Sequence, residues 1–374
     1  MTHHRSIIFH PALAPYRVDF FNSLSEALDA EVYFEFPNPL EQSFDQQALQ
    51  EQLRFKPQFL RPGFLGIKNL RLEVLAILWR KRPELVFVSE YNLLGLLVCL
   101  YKFLFHWRLR VITTCDDNLR MAQQAGWVKR LTRYLLLHWM EGVILADEQA
   151  YRWYQQRLPY KARYHYFPII QSDELFRSRL MQAIPLAEDV AARLDLIGKR
   201  VILYVGRLAA VKQVSLLITA FQRLCPDYPD ARLLIVGDGP LRDRLVQQAA
   251  TEIEAGRLFF VGKQEGLHLL AYYNVAQLFV LPSQYEPFGT VVNEALLAGC
   301  YTLCSEVAGA ACLIMSERQG ALFDPTVPEP LTALLADALD QIPPLTHVSL
   351  KANRMSLRYE EQLRGLVQKL QAVV

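Results

Sequence analysis

The sequence predicts an α/β chain made of two doubly wound domains, each a parallel sheet covered by helices. Three observations carry this. Its 374 residues exceed one usual hydrophobic core, so two domains of under about 200 residues each are expected, with a cleft between them. Short β-rich runs alternate with longer helical patterns from end to end, the signature of strands joined by crossover helices. The alternation breaks once, around residues 168 to 199, where Pro168 and Pro185 interrupt it and Gly198-Lys199-Arg200 precedes a fresh strong strand. A domain boundary is expected in that stretch, giving domains 1–180 and 181–355 and a terminal segment 356–374.

In the first half, Ser6–His10 reads as a strand, Tyr16–Leu28 as an amphipathic helix and Ala30–Phe36 as a second strand, which together make a βαβ unit. Leu85–Ser89, Arg110–Thr114 and Gly142–Ala146 follow as strands, with a helix around Val128–His138 that puts its Arg and Lys on a polar face. This half is Rossmann-like. Leu93–Leu104 is apolar for about a dozen residues, too short to cross a bilayer, and reads as a buried helix. The second half runs Val201–Val205, Arg232–Val236, Leu258–Val261, Gln277–Leu281 and Tyr301–Ser305 as strands. Its helices are Gln213–Leu224, Leu241–Ile253 and one from about Thr290. Leu357–Val373 is helical, with Tyr359, Leu363, Leu366 and Leu370 on one face.

Composition narrows the function classes. Hydrophobic residues make up 52% and charged residues 21%, enough apolar surface for two cores and against long disorder. The net charge of +2 hides an uneven spread, because residues 100–165 carry eleven Lys or Arg against five Asp or Glu. That is a patch and not a nucleic-acid stripe. With Trp107, Trp127, Trp139 and Trp153 nearby it reads either as a face for anionic lipid headgroups or as solvated helix surface over buried aromatics. Six cysteines without a Cys-x-x-Cys pair fit a reducing cytoplasm. The N-terminal residues lack the long apolar region of an export signal. A cytoplasmic protein is expected, with peripheral contact at the inner membrane face as the second expectation.

The most informative segment is Leu281-Pro282-Ser283-Gln284-Tyr285-Glu286-Pro287-Phe288-Gly289-Thr290-Val291-Val292-Asn293-Glu294-Ala295, a strand end, a tight loop and a helix start. Pro287 and Gly289 fix a turn, and Thr290 reads as a helix cap whose following amides offer N–H groups to an anion. Glu286 in the loop and Glu294 one turn inside the helix can face one ligand from different heights. Carboxylates accept directed hydrogen bonds and so suit hydroxyl-rich cargo. Either acid alone would read as a surface group near a helix N-terminus.

Tyr204-Val205-Gly206-Arg207-Leu208-Ala209-Ala210-Val211-Lys212 is a second strand end running into a helix. It sets two cations five residues apart. Arg207 can grip phosphate oxygens bidentately and Lys212 acts as a point charge, together offsetting charge on a departing diphosphate. The third segment, Val236-Gly237-Asp238-Gly239-Pro240, is a glycine turn between strand and helix.

In this order and at these spacings, the three segments resemble the retaining GT-B glycosyltransferases of family 4, the glycosyl transferases group 1. Gly320-Ala321-Leu322-Phe323 matches a further family pattern. The resemblance is firm over residues 198–325 and loose in the first half, through Pro15-Tyr16-Arg17. It implies two Rossmann-like domains facing a cleft, a C-terminal helix crossing back to the N-terminal domain, and transfer with retention and without a metal. Arg207 and Lys212 would bind the donor diphosphate, Glu294 the ribose hydroxyls, and Glu286 the donor sugar. Amides of Phe288, Gly289, Thr290 and Val291 would cradle sugar and distal phosphate, with Gly237 in the glycine turn of the donor side and Val261 flanking the nucleobase. The donor is expected to be a UDP- or GDP-sugar, with no other cofactor, and the acceptor a glycan or glycolipid. No Asp-x-Asp occurs and the histidines lack metal-ligand spacing, so no metal site is expected.

The sequence departs from the resemblance after its first strand, where many relatives carry glycines and this chain has His10-Pro11-Ala12-Leu13-Ala14-Pro15-Tyr16-Arg17. That Pro-bounded stretch puts Tyr16 and Arg17 on the acceptor side, unless Arg17 simply opens an ordinary helix. After the strand ending at Thr114 come Asp116 and Asp117, which either orient the acceptor or cap the next helix. Two other functions fit less well. A sugar-nucleotide epimerase would interconvert donors without an acceptor, and a silent binding protein would not need Arg, Lys and two Glu at strand ends. A dinucleotide enzyme is disfavoured because Gly-x-Gly-x-x-Gly is absent.

Overall fold

A computed structural model describes residues 6–38, 44–64, 67, 70–158 and 162–372. The chain divides into two compact units, one comprising residues 1–171 and 359–374 and the other Ser172–Arg358.

The first unit holds seven parallel strands: β1 (Ser6–His10), β2 (Ala30–Phe34), β3 (Gln58–Phe59), β4 (Leu85–Ser89), β5 (Arg110–Cys115), β6 (Gly142–Leu145) and β7 (Arg163–Tyr166). Their spatial order is β3-β2-β1-β4-β5-β6-β7. Its helices are α1 (Val18–Leu28), α2 (Gln46–Gln50), α3 (Glu73–Lys81), α4 (Leu93–Phe105), α5 (Leu119–Gln123), α6 (Trp127–Leu137) and α7 (Glu148–Arg157). Central strands such as Leu85–Ser89 are buried along their whole length, so they read as continuous β-branched and apolar runs rather than alternating ones. Short polar side chains start the helices: Asn92, Asn118 and Asp147 accept from the N–H groups of Gly95, Met121 and Ala150.

The second unit opens with α8 (Asp173–Gln182) and α9 (Ile184–Arg193). It then alternates β8 (Arg200–Val205), α10 (Val214–Leu224), β9 (Ala231–Val236), α11 (Arg242–Gln248), α12 (Ala250–Glu254), β10 (Leu258–Gly262) and α13 (Gly266–Val275). The remainder is β11 (Leu278–Leu281), α14 (Thr290–Leu297), β12 (Tyr301–Ser305), β13 (Gly320–Phe323) and α15 (Pro328–Gln341). Its six parallel strands are ordered β10-β9-β8-β11-β12-β13. The last helix, α16 (Tyr359–Gln371), belongs to the first unit. There Tyr359 donates to Ser23 Oγ of α1 (3.0 Å) and meets the Phe167 ring edge-on.

Several expectations change. The units divide at Gln171, earlier than 180, because α8 packs on α13 and α14 and Asn274 of α13 donates to the carbonyl of Leu180 (2.8 Å). The helix expected over Leu241–Ile253 breaks into two at Ala249. The apolar helix over 93–104 is not fully buried, since Leu100, Phe103, Leu104 and Phe105 all face outward. In α6 the expected polar face holds for Lys129 and Arg130, but not for Arg133. Arg133 is buried, its guanidinium lying over the rings of Trp153 and Tyr154 and bonding the carbonyl of Ala122 (3.0 Å), while Val128, Leu131, Tyr134 and Leu135 are exposed. The reading of solvated helices over buried aromatics therefore fails for Trp107 and Trp127, which are 74% and 76% exposed. Val373, the expected end of the last helix, lies outside the described residues.

Candidate functional site

In an open parallel sheet, ligands sit beyond the carboxyl ends of the strands where strand order reverses, because the loops on either side of that point run to opposite faces. In the second unit this point lies between β8 and β11, which pair through Leu278↔Ile202 and Phe279↔Leu203. The loops leaving these two strands are the two the sequence singles out, Gly206–Lys212 and Pro282–Gly289. They are tied together by Gln284 N–H donating to the carbonyl of Val211 (2.8 Å) and by a Gln213–Gln284 side-chain bond (3.2 Å).

The consequence is an ion pair between Lys212 and Glu286, with side chains only 18% and 12% exposed. The buried Ser283 hydroxyl donates to the same carboxylate oxygen (3.4 Å). Glu286 is further fixed by a parallel bridge to Ala308. Arg207 is exposed on the same loop as Lys212, and its carbonyl accepts from the Tyr204 hydroxyl (3.1 Å).

Gly289 has φ 94°, and a Cβ there would lie 2.9 Å from Leu281 Cδ2 and 3.1 Å from Glu286 Cγ. This glycine, not Thr290, is the N-cap of α14, and no side chain caps the helix. Thr290 is the first helical residue. Its N–H and that of Val291 precede any carbonyl a turn earlier, so they are available to an anion. Phe288 is buried, contributing backbone rather than side chain, and its carbonyl accepts from Ala310 N–H (2.6 Å). Glu294, half-buried in α14, accepts from the Tyr273 hydroxyl (2.9 Å). Burial, then the Glu294 charge, pushes the Tyr273 phenol far above its ordinary range, so Tyr273 stays a donor. Gly237 N–H donates to the carbonyl of Gly262, beside Val261 (2.8 Å).

In the first unit, Arg17 ends a 3-10 turn and is also the N-cap residue of α1, so it stands at a helix start, with no side-chain cap. It is buried and paired with Asp116 at 2.5 Å. Burial opposes ionisation of Asp116, but the Arg17 charge and hydrogen bond outweigh it and hold the carboxyl below its usual range. Tyr16, Arg17, Asp116 and His10 wall a cavity of about 210 Å³. His10 Nδ1 lies 3.0 Å from the carbonyl of Ala12, a pure acceptor, so Nδ1 carries the proton and Nε2 keeps its lone pair. Burial, then Arg17, lowers the His10 pKa to about 4.

Asp117 does not join this group. Its carboxylate pairs with Lys129 (2.8 Å) and lies with Glu90 and Cys115 in a separate cluster whose ligand atoms are within 4.8 Å of one another. Lys129 supplies the positive charge there, also reaching Glu90 (3.5 Å). Neither Asp caps α5, because Asn118 does. Sequence reasoning missed Tyr273, His10 and Glu90. His10 ends β1 and Glu90 follows β4, the two strands flanking the order reversal of this sheet, so only the topology marks them.

Two doubly wound parallel units define the GT-B fold class, and comparison of whole chains agrees. HepE from Anabaena, solved in complex with UDP, aligns with a TM-score of 0.76 over 99% of this chain and all of that one, at 16% identity. Residues 192–354, within the second unit, match the family model for glycosyl transferases group 1. Glycogen synthase of Mycobacterium tuberculosis is 36% identical over 150 residues, 40% of this chain and 36% of that protein. The GDP-mannose-dependent alpha-mannosyltransferase of Mycolicibacterium smegmatis is 31% identical over 145 residues, 37% of this chain and 36% of that protein. The chain thus spans about a third of the length of these curated relatives.

Proposed function

We propose that this chain is a retaining glycosyltransferase that moves a sugar from a UDP- or GDP-sugar to a hydroxyl of a glycan or glycolipid, without a metal or any further cofactor. Cell-envelope or related glycan synthesis is the setting that fits, with contact to an anionic membrane surface. The observation that carries the reading is the convergence of Lys212 and Glu286, 74 residues apart, at the strand-order reversal of the second unit. The glycogen synthase and mannosyltransferase activities of the two relatives, and the UDP in the HepE structure, support it.

Arg207 and Lys212 hold the diphosphate, and the N–H groups of Phe288, Gly289, Thr290 and Val291 cradle the sugar and distal phosphate. Glu286, anchored by Lys212 and Ser283, positions the sugar, and Glu294, oriented by Tyr273, takes the ribose hydroxyls. Gly237 lies in the glycine turn on the donor side, and Val261 flanks the nucleobase. The acceptor hydroxyl attacks the anomeric carbon on the face from which the diphosphate leaves. The new C–O bond replaces the bond to phosphate, and the hydroxyl proton passes to the departing phosphate oxygen, the nearest base on that face. Tyr16, Arg17 and Asp116 position the acceptor, and Asp117, paired to Lys129, lies on the same acceptor side.

The test is direct. Lys212→Ala and Glu286→Ala should keep wild-type circular dichroism yet each lose at least about a hundred-fold in turnover of a UDP- or GDP-sugar. Near-wild-type turnover in both would remove these roles, and interconversion of the donor without acceptor would favour an epimerase.

A further inference from the structure

Arg133 is only 3% exposed, yet among the described residues no carboxylate pairs with it. Its Nη1 donates to the carbonyl of Ala122, its plane covers Trp153 (5.1 Å) and Tyr154 (5.4 Å), and its Nε has no partner. A buried cation without a counter-charge is costly, and such a group persists where an anion completes it. Arg133 lines a groove of about 530 Å³ together with Arg130 and Arg157 and the rings of Trp127, Tyr134 and Trp153. Neither Arg130 nor Arg157 has an acidic partner among the described residues, and both are exposed. Three guanidiniums and three aromatic rings without an acid match a phosphate carried on an apolar stem.

The surroundings say what presents that phosphate. Helices α4 and α6 pack on each other, and α3 packs on α4. They bear an exposed apolar surface made by Trp79, Phe103, Leu104, Phe105, Trp107 and Leu131. Ring pairs tie parts of it together, Trp79 with Phe105 at 5.7 Å and Phe103 with Trp139 at 6.4 Å. Residues 93–141 contain seven Lys or Arg and three acids, Asp116, Asp117 and Glu141, each already paired to a cation. Exposed tryptophans among arginines, with the acids of the same stretch already paired, are what the headgroup layer of an anionic bilayer accommodates.

We infer that this groove of the first unit binds the phosphate of an anionic membrane lipid while the adjoining α3–α4–α6 surface enters the headgroup layer. The inference rests on the first unit alone and does not depend on the donor site. In flotation with the full chain, vesicles of phosphatidylglycerol in phosphatidylcholine should carry the protein, and pure phosphatidylcholine should not. Arg130→Glu with Arg157→Glu, both at exposed positions, should cut vesicle binding at least ten-fold, and Trp127→Ala should weaken it and reduce quenching of tryptophan emission by brominated lipid. Equal binding to neutral vesicles, no binding to either, or unchanged binding by the double variant would overturn the inference. Release from vesicles by millimolar glycerol 3-phosphate would likewise overturn it, marking a site for a soluble anion. The melting shift caused by UDP, measured on the same variants, should match the unsubstituted chain, so a failure of the donor reading shows in that measurement and not in flotation.

Discussion

Lys212 is worth most to this protein through what Glu286 does beside it. Each side chain is more than four-fifths withdrawn from water, so removing one leaves the other charged and nearly unsolvated. Lys212→Ala should therefore cost about 1–3 kcal/mol in denaturant unfolding as well as activity, and the Lys212→Ala, Glu286→Ala double variant should cost less than the sum of the singles. Glu90 makes a different statement. Burial, then the neighbouring Asp117 charge, raises its carboxyl to about 7, against the pull of Lys129. The folded chain thus binds a proton that the unfolded chain releases from about pH 4.5, and stability from this group falls as pH rises from 4.5 through 7. Glu90→Gln should flatten that decline, read as a melting temperature that drops less between pH 5 and pH 8 than in the unsubstituted chain. Residue types could be read from sequence wherever they fell in a strand-end loop, as Arg207, Lys212 and Glu286 did. His10, Glu90 and Tyr273 could not, because their significance lies in partners brought by the sheet from distant segments, such as Glu294 for Tyr273.

At the scale of elements, strand-to-helix loops were the legible part. A loop of a few residues between two regular elements has few conformations, so its glycines and prolines announce its geometry. Gly237 shows how tightly. At φ 143°, a Cβ would fall 1.9 Å from the carbonyl oxygen of Gly206, backbone against backbone where nothing can yield. Gly237→Ala should destabilise the second unit by roughly 2–5 kcal/mol in urea unfolding. Gly289→Ala, pressed against Leu281 and Glu286 Cγ, should displace the Glu286 carboxylate and reduce turnover even in whatever fraction folds. Helix α6 was legible as a helix, but the burial of Arg133 was not. Periodicity reveals that two faces differ, and an arginine is assigned outward by default. Here the rings of Trp153 and Tyr154 and the carbonyl of Ala122 give Arg133 an interior berth, and only tertiary packing could reveal it. The cap of α14 was misplaced by one residue for a related reason, since Gly289 takes the left-handed conformation that lets Thr290 begin the helix.

For the molecule as a whole, two doubly wound units were foreseeable from alternation and length, but the division at Gln171 was not. Proline punctuation marks where a pattern stops, whereas α8 is claimed by what it packs on, α13 and α14. Among the described residues no helix is long and apolar enough to cross a membrane. Removing residues from Tyr359 onward should strip α1 of the Tyr359–Ser23 contact and the Phe167 ring of its neighbour, lowering the melting of the first unit while leaving that of the second in place. Calorimetry resolving two transitions, with only one displaced, is the expected result. The same assignment of α16 sets an order of events during synthesis. Every residue of the second unit is joined to the growing chain before the helix that completes the first, so on the ribosome the second unit can finish folding while the earlier-made first unit still waits, with the surface of α1 uncovered, for its closing piece.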